Sequence, residues 1–267
     1  MRHTPATTLA AAVVGSLLLT GCGSPAADVA AGAASPSATS VARPAGKIIV
    51  FAAASLTGAF TTLGRQFEAA NPDATVTFNF GPSSGLATQI TEGAPADVFA
   101  SASGKNMAAV VAAGGAGSPT TFAQNVMEIA VPPDNPARIR SLADLARPEV
   151  KVALCQPDVP CGTVAARIFA SAGLTVTPIT LEADVKATLT KVELGEVDAG
   201  VVYVTDVLAA GDKVTGIVIP ADVNASTSYP IARVTASKNP ALATAFVDYV
   251  LSAGGVAVLT AAGFERP

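Results

Sequence analysis

The sequence predicts an α/β fold in which mostly parallel sheets, flanked by helices, form two lobes around a cleft. From residue 47 onward, short apolar segments typical of strands alternate with longer helical ones. A Pro-rich connection at Pro132, Pro133 and Pro136 separates two successive strand–helix cycles. The 267 residues, of which 50% are hydrophobic, are enough to form a core in each lobe.

The first cycle begins with the apolar segment KIIVFA and has clear helix ends. Asn71-Pro72-Asp73 stops one predicted helix, Gly93 stops the next, and Gly114-Gly115 stops a third. The predicted strands are 47–52, 75–80, 97–100 and 125–131, and the predicted helices are 56–70, 86–92, 105–113 and 141–146.

The second cycle begins with KVALC and continues with AGVVYV, a continuous apolar run typical of a strand buried on both faces. Its predicted strands are 151–155, 199–204, 217–220 and 231–235, and its predicted helices are 163–172, 182–193, 241–251 and 256–262. We expect lobe 1 to comprise residues 47–130 and 229–267, and lobe 2 residues 131–228.

The N-terminal residues 1–21 are predicted to be a signal peptide. Arg2 precedes an apolar run over 9–19, which is shorter than the ~20 residues of a membrane span. The run ends in Leu-Thr-Gly-Cys22, which resembles the lipobox of bacterial lipoproteins. The resemblance implies lipidation of Cys22 and anchoring at the extracytoplasmic face of the cell membrane. The alternative is an ordinary signal peptide that carries a cysteine.

Residues 22–46 follow as the lipidated cysteine and a flexible tether rich in Ala, Pro and Gly. The net charge of −4 argues against nucleic acid as a partner, because such proteins need a basic surface. The one histidine is His3, which the predicted cleavage removes. We therefore expect no catalytic histidine in the mature protein. We also expect no cofactor.

Three predicted strand-to-helix turns are rich in small residues and contain no Lys or Arg. They begin at residues 51, 80 and 157, and the first two contain Ser55, Ser83 and Ser84. In an open α/β sheet such turns line the ligand crevice, and helix starts there present unpaired N–H groups. The serines fit either helix caps or hydroxyl donors. Several such turns together favour a site for a dehydrated anion.

Several motifs, taken in order, resemble the molybdate-binding proteins of bacterial ABC importers. They are FAAASL at 51–56, SSGLA at 83–87, GAPADVF at 93–99, DVPCG at 158–162, DV at 184–185 and GVVYVTD at 200–206. The resemblance covers residues 47–264 and implies a type II periplasmic-binding-protein fold. It also implies a monomer that captures molybdate or tungstate for an ABC permease, with the membrane reached by the lipid anchor only.

The same resemblance implies the oxyanion ligands. Ser55 and Ser83 would each give a hydroxyl and an N–H, Cys161 and Val185 an N–H, and Tyr203 its phenol O–H. The molybdenum would have no direct bond to the protein. Cys161 departs from the pattern, because this position is usually a small residue such as Ala, although a main-chain donor tolerates the change.

Donors alone suit a fully ionised oxyanion. Phosphate keeps a proton at neutral pH, and leaving that proton unpaired costs roughly 1–3 kcal/mol. Sulfate or another small oxyanion remains an alternative ligand, since only the size of the pocket would exclude it. An anion-dependent sensor would need an output domain, of which the sequence has no sign.

A serine hydrolase is the alternative from another class. Gly81-x-Ser83-x-Gly85 follows a predicted strand and matches the nucleophile motif of α/β-hydrolases. That mechanism needs a histidine base, so we expect a protein that is not an enzyme.

Cys155 and Cys161 end a predicted strand and precede a predicted helix. Lipidation of Cys22 would leave them as an even pair outside the cytoplasm, which favours a disulfide. Two free buried thiols are the alternative.

Overall fold

The computed structural model describes residues 44–267, which contain nine strands and eight α-helices. The signal peptide, Cys22 and most of the tether lie outside the described residues. The strands are β1 Gly46–Ala53, β2 Ala74–Gly81, β3 Val98–Ala100, β4 Thr120–Val131, β5 Val152–Cys155, β6 Thr180–Glu182, β7 Ala199–Tyr203, β8 Thr215–Val218 and β9 Ser226–Arg233. The helices are α1 Thr57–Ala70, α2 Ser83–Thr91, α3 Gly104–Ala112, α4 Pro160–Ser171, α5 Val185–Glu193, α6 Val204–Ala210, α7 Pro240–Leu251 and α8 Ala253–Ala261. Short 3₁₀ helices span Ala54–Leu56, Leu142–Ala146 and Gly211–Lys213.

The strands follow one path of order β2-β1-β3-β9-β4-β7-β5-β6, with β8 paired to β4. β1 is parallel to β2 and β3, and β5 is parallel to β6 and β7. The other four pairings among the described strands involve β4 or β9 and are antiparallel. The predicted α/β class with flanking helices is confirmed, and parallel pairing is confined to the two ends of the strand path.

Strand β4 joins the two ends of this path. Its residues 120–126 pair with β9, and its residues 127–131 pair with β7 and β8. The hydrophobic core divides at the same place. One cluster of buried side chains draws on Ala54 and residues 127–219, and two others draw on residues 48–123 and 229–264. Each end of the path therefore has its own core, and β4 and β9 run between them.

Several predicted element boundaries are wrong. The helix predicted over 182–193 starts too early, because Glu182 is the last residue of strand β6. Helix α5 begins only at Val185, where Asp184 caps it. Helix α6 was not expected, because the apolar run AGVVYV continues past the end of β7 without a break. Strands β4 and β9 begin five residues earlier than predicted, since their polar N-terminal segments pair with each other.

Within residues 44–267, no single helix is both long and apolar enough to cross a membrane. Helices α7 and α8, which meet at an angle of 59°, pass that test only when taken together as a bent pair.

Candidate functional site

The strand-to-helix turns of the two ends of the strand path meet around one small cavity. Its walls come from the segments that follow β1, β2 and β3 on one side and β5, β6 and β7 on the other. The lining residues are Ala53, Ala54, Ser55, Gly81, Pro82, Ser83, Ala102, Val159, Pro160, Cys161, Asp184, Val185 and Tyr203. The structure thus brings together all five residues that the sequence predicted as ligands.

The cavity is small. The space open to the centre of a water-sized sphere is about 20 Å³, whereas one water needs about 10–15 Å³ by that measure. In this conformation the cavity admits a ligand of a few atoms and excludes a sugar, an amino acid or a peptide.

Four of the lining residues lie at the starts of helices. Ser83 and Val185 are the first residues of α2 and α5, and Ser55 lies in the 3₁₀ helix that follows β1. Cys161 carries the first N–H of α4, because Pro160 before it has none. A helix start leaves such N–H groups without an intrahelical acceptor, and these four donate to no other described residue.

Two hydroxyls in the cavity wall, those of Ser83 and Ser55, are hydrogen-bonded to other buried groups. The Ser83 hydroxyl oxygen accepts the N–H of Ala102 at 3.0 Å, which leaves its own proton free to donate. The Ser55 Oγ lies 2.9 Å from the Tyr229 hydroxyl. Both serines are buried, so these bonds hold them in the cavity wall.

The Tyr203 hydroxyl is different, because it is buried without a hydrogen-bond partner among the described residues. The side chain is only 1% exposed. Burial, with smaller contributions from Tyr229 and Asp206, raises the pKa of Tyr203 well above its ordinary value, so the phenol keeps its proton. A buried hydroxyl of this kind costs free energy unless a ligand accepts its hydrogen bond.

The cavity wall carries no Lys or Arg among its described residues. Its one ionisable carboxyl belongs to Asp184, whose Oδ1 accepts the N–H of Ala187 at 2.9 Å and so caps α5. The arrangement offers donors from neutral groups. It can hold a small acceptor-rich ligand without an ion pair.

An ion pair between a buried carboxylate and a partly exposed lysine lies behind this wall. Lys186 Nζ is 2.8 Å from Asp206 Oδ1, and Asp206 Oδ2 accepts the Tyr203 N–H at 3.1 Å. Burial raises the pKa of Asp206, and Lys186 offsets only part of that effect. The pair connects the first turn of α5, which carries Val185, with Tyr203.

A disulfide joins Cys155 at the end of β5 to Cys161 at the start of α4, with Cα atoms 5.8 Å apart. That separation lies within the range that disulfides require. Gly162 follows in a tight fit, because a Cβ there would lie 1.9 Å from the carbonyl oxygen of Gln156. The loop and the helix start therefore pack backbone against backbone.

A larger groove of about 590 Å³, by the same measure, lies next to the cavity and shares only Ser55 with it. Small and apolar side chains of α1, α6 and α8 supply most of its lining, and Lys186 is its one charged residue. The smaller cavity, whose described lining has no cation and includes the starts of α2, α4 and α5 together with Ser55 and Tyr203, is the candidate site.

Two other kinds of site find little support. The described residues contain no group of three His, Cys, Asp or Glu side chains placed to hold a metal. Ser83, the serine of the hydrolase-like motif, has its hydroxyl bonded to the Ala102 N–H, and the cavity's one carboxyl is occupied as a helix cap.

Residues 48–265 match the family of bacterial extracellular solute-binding proteins. The chain belongs to this family. The family relationship predicted from the sequence motifs is confirmed, and it places the solute-binding protein outside the cytoplasm.

Two curated relatives match over most of their length. The molybdate-binding protein ModA of Mycobacterium tuberculosis is 47% identical over 243 residues, which cover 90% of this chain and 93% of the relative. A putative ABC transporter substrate-binding lipoprotein of Bacillus subtilis, YvgL, is 32% identical, with 81% and 85% covered.

Solved structures share the fold. The periplasmic molybdate-binding protein of Azotobacter vinelandii matches with a TM-score of 0.75 and 22% identity, covering 82% of this chain and 99% of that one. The sulfate-binding protein SubI of M. tuberculosis matches with a TM-score of 0.73 and 19% identity, covering 82% and 86%.

Sequence reasoning missed the residues behind the cavity wall. Asn125, Thr205 and Tyr229 form a buried hydrogen-bonded group that reaches Ser55. Their sequence separations of 80 and 104 residues leave no local motif that could have connected them.

Proposed function

We propose that this solute-binding protein captures molybdate or tungstate outside the cytoplasm and delivers it to an ABC permease. The observation that carries the proposal is that one small cavity is lined by four residues at helix starts and by Tyr203. The Tyr203 hydroxyl has no partner among the described residues, and the cavity's described lining has no cationic side chain. The M. tuberculosis relative, named as molybdate-binding and 47% identical, supports the choice of ion.

The proposed ligand residues are Ser55, Ser83, Cys161, Val185 and Tyr203. All five give hydrogen bonds, and every oxygen of a molybdate dianion accepts them. A bound ion would thus satisfy the buried N–H groups and the Tyr203 hydroxyl. Hydrogen bonds to an ionised acceptor are stronger than neutral ones, which offsets the loss of the ion's hydration. The protein binds the ion and carries out no reaction on it.

Sulfate is the second candidate ligand. It has the same charge and shape as molybdate, and the fold match to the sulfate-binding protein SubI supports it as an alternative ligand. The donors do not distinguish the two ions. Any selectivity between them must therefore come from the difference in their size.

The remaining parts of the proposal concern the whole protein. Residues 47–130 with 229–267, and residues 131–228, act as two lobes that close on the ion, and the protein is a monomer. Cys22 carries the lipid that holds it at the membrane after removal of residues 1–21. The lipoprotein name of the B. subtilis relative supports this anchor.

A thermal-shift titration with molybdate, tungstate, sulfate and phosphate tests the proposed function. Molybdate and tungstate should raise the melting temperature of the purified protein at micromolar concentration, because a ligand at 100 times its Kd stabilises by about 2.7 kcal/mol. Phosphate, which keeps a proton, should give no comparable shift. Equal shifts with phosphate and molybdate would contradict a site made only of donors, and a shift with sulfate alone would replace the ligand.

A further inference from the structure

A buried chain of hydrogen bonds reaches Ser55 from behind the cavity. Asn125 on β4 donates through Nδ2 to Thr205 Oγ1 at 2.8 Å and to the Tyr229 hydroxyl at 3.5 Å. The Tyr229 hydroxyl in turn lies 2.9 Å from Ser55 Oγ. All four side chains are buried.

The orientation of the Asn125 amide is fixed by its neighbour. The main-chain N–H of Val126, which can only donate, lies 3.0 Å from Oδ1 of Asn125. The Nδ2 group, which can also only donate, must then face Thr205 and Tyr229. The start of the chain therefore has a defined direction.

The direction of donation at Asn125 also sets the direction of the hydrogen bond between Tyr229 and Ser55. Tyr229 accepts from Asn125, so its own proton is available for Ser55. Burial raises the pKa of Tyr229 far above its ordinary value, which keeps this proton in place at all physiological pH values. Ser55 Oγ then accepts from Tyr229, and its proton is left to point into the cavity.

We propose that Asn125 and Tyr229 are positioning residues that make Ser55 a hydrogen-bond donor to the bound oxyanion. This inference rests on the proposed function and deepens it, because it explains how one hydroxyl is held as a donor rather than left free to accept. Donors aligned in series also polarise and strengthen each other. This series of hydrogen bonds connects β4 and β9 with the Ser55 hydroxyl in the cavity wall. Strands β4 and β9 join the two ends of the strand path.

A double-mutant cycle with Ser55 tests the proposal. Molybdate affinity is measured by calorimetry for the wild type, Tyr229→Phe, Ser55→Ala and the double variant. Tyr229→Phe should weaken binding about 3- to 10-fold when Ser55 is present, which corresponds to the loss of one neutral hydrogen bond. In the Ser55→Ala background the same change should cost less than twofold, because no hydroxyl remains to be positioned.

Tyr249→Phe is the matched control. Tyr249 also donates its hydroxyl to a side chain, Gln66 Oε1 at 2.9 Å, but on the exposed face of the molecule. Its removal should leave molybdate affinity unchanged. A second cycle with Asn125→Ala in place of Tyr229→Phe repeats the test if loss of the Tyr229 hydroxyl prevents folding, and melting temperatures check folding throughout.

The outcomes separate the two claims. An equal loss for Tyr229→Phe with and without the Ser55 hydroxyl would mean that Tyr229 only supports packing, and the positioning role would be overturned. If the wild type binds no oxyanion, the proposed function falls and this inference falls with it. If the wild type binds molybdate and Tyr229→Phe weakens binding only when Ser55 is present, both the proposed function and the positioning role are supported.

Discussion

At the scale of single residues, the main feature is a donor that the protein leaves unsatisfied. The Tyr203 hydroxyl is buried in the cavity wall and has no partner among the described residues. Such a group costs about 1–3 kcal/mol in the ligand-free protein. The cost is recovered when a ligand oxygen accepts the bond, so the residue favours the bound state over the free one.

Tyr203→Phe should therefore separate binding from stability. Molybdate affinity should fall about 10- to 100-fold, because a hydrogen bond to a charged group contributes roughly 1.5–3 kcal/mol. The ligand-free variant should be as stable as the wild type or more so. Calorimetry and urea unfolding measure the two effects, and a variant that loses stability while keeping its affinity would contradict this account.

The sequence could predict some of these residues but not others. Ser55, Ser83 and Tyr203 lie in contiguous motifs at strand ends, where local pattern is informative. Tyr229 contacts Ser55, and Asn125 contacts Tyr229, only through tertiary packing. Nothing in the strand sequences around these two residues marks them as parts of a site. Their placement depends on the pairing of β4 with β9, which the sequence does not reveal.

At the scale of elements, the start of α4 is held by two local constraints. The disulfide links its second residue to the end of β5, and Gly162 allows the helix to pack against the carbonyl of Gln156. Both constraints fix the main chain at Cys161, whose N–H is one of the proposed ligand donors. Holding a donor in place before binding reduces the ordering cost of binding.

Replacing both Cys155 and Cys161 by Ala should weaken molybdate binding about 2- to 10-fold without unfolding the protein. The cysteines are six residues apart, so the entropic stabilisation from such a short loop is only about 2 kcal/mol. Alanine keeps the N–H at position 161. Unchanged affinity in a folded double variant would show that the disulfide has no positioning role.

The elements themselves were predictable where caps and breakers are strong, as at Asn71 and Gly93. The boundary between β6 and α5 was not, because the strand has only three residues and joins the sheet through β5. Short strands of this kind depend on their neighbours for their hydrogen bonds, and their own sequence carries little signal.

At the scale of the whole molecule, one buried charge makes stability depend on pH. Asp206 is fully buried, and burial raises its pKa despite Lys186. The folded protein then binds this proton more tightly than the unfolded chain does. The contribution of Asp206 to stability is greatest below the pKa of an unfolded aspartate and is lost as pH rises through the folded pKa.

Asp206→Asn should remove this dependence while keeping an acceptor for the Tyr203 N–H. The free energy of unfolding of the variant minus that of the wild type should be larger at pH 7.5 than at pH 4, because only the wild type loses the Asp206 contribution as pH rises, and urea unfolding at the two pH values measures this difference. Lys186, about one-third exposed, can turn toward water in the variant. If the difference in the free energy of unfolding between variant and wild type is the same at both pH values, folding does not raise the pKa of Asp206.

The overall architecture follows from the same strand ends that form the site. Parallel strands at each end of the path direct their carboxyl ends to one cavity, and β4 and β9 hold the two ends together. The α/β class was predictable from alternating strands and helices. The antiparallel connection through β4 was not, because it pairs residues about 100 positions apart in the chain.

The central claim is that a molybdate-class oxyanion is held by neutral donors in this cavity. A crystal structure of the molybdate complex, with anomalous diffraction recorded at the molybdenum edge, tests it most directly. We expect one molybdenum peak in the cavity, with ligand oxygens about 2.7–3.2 Å from the N–H and O–H donors of Ser55, Ser83, Cys161, Val185 and Tyr203. A peak in the neighbouring groove beside Lys186, or one held by Lys or Arg side chains, would contradict it.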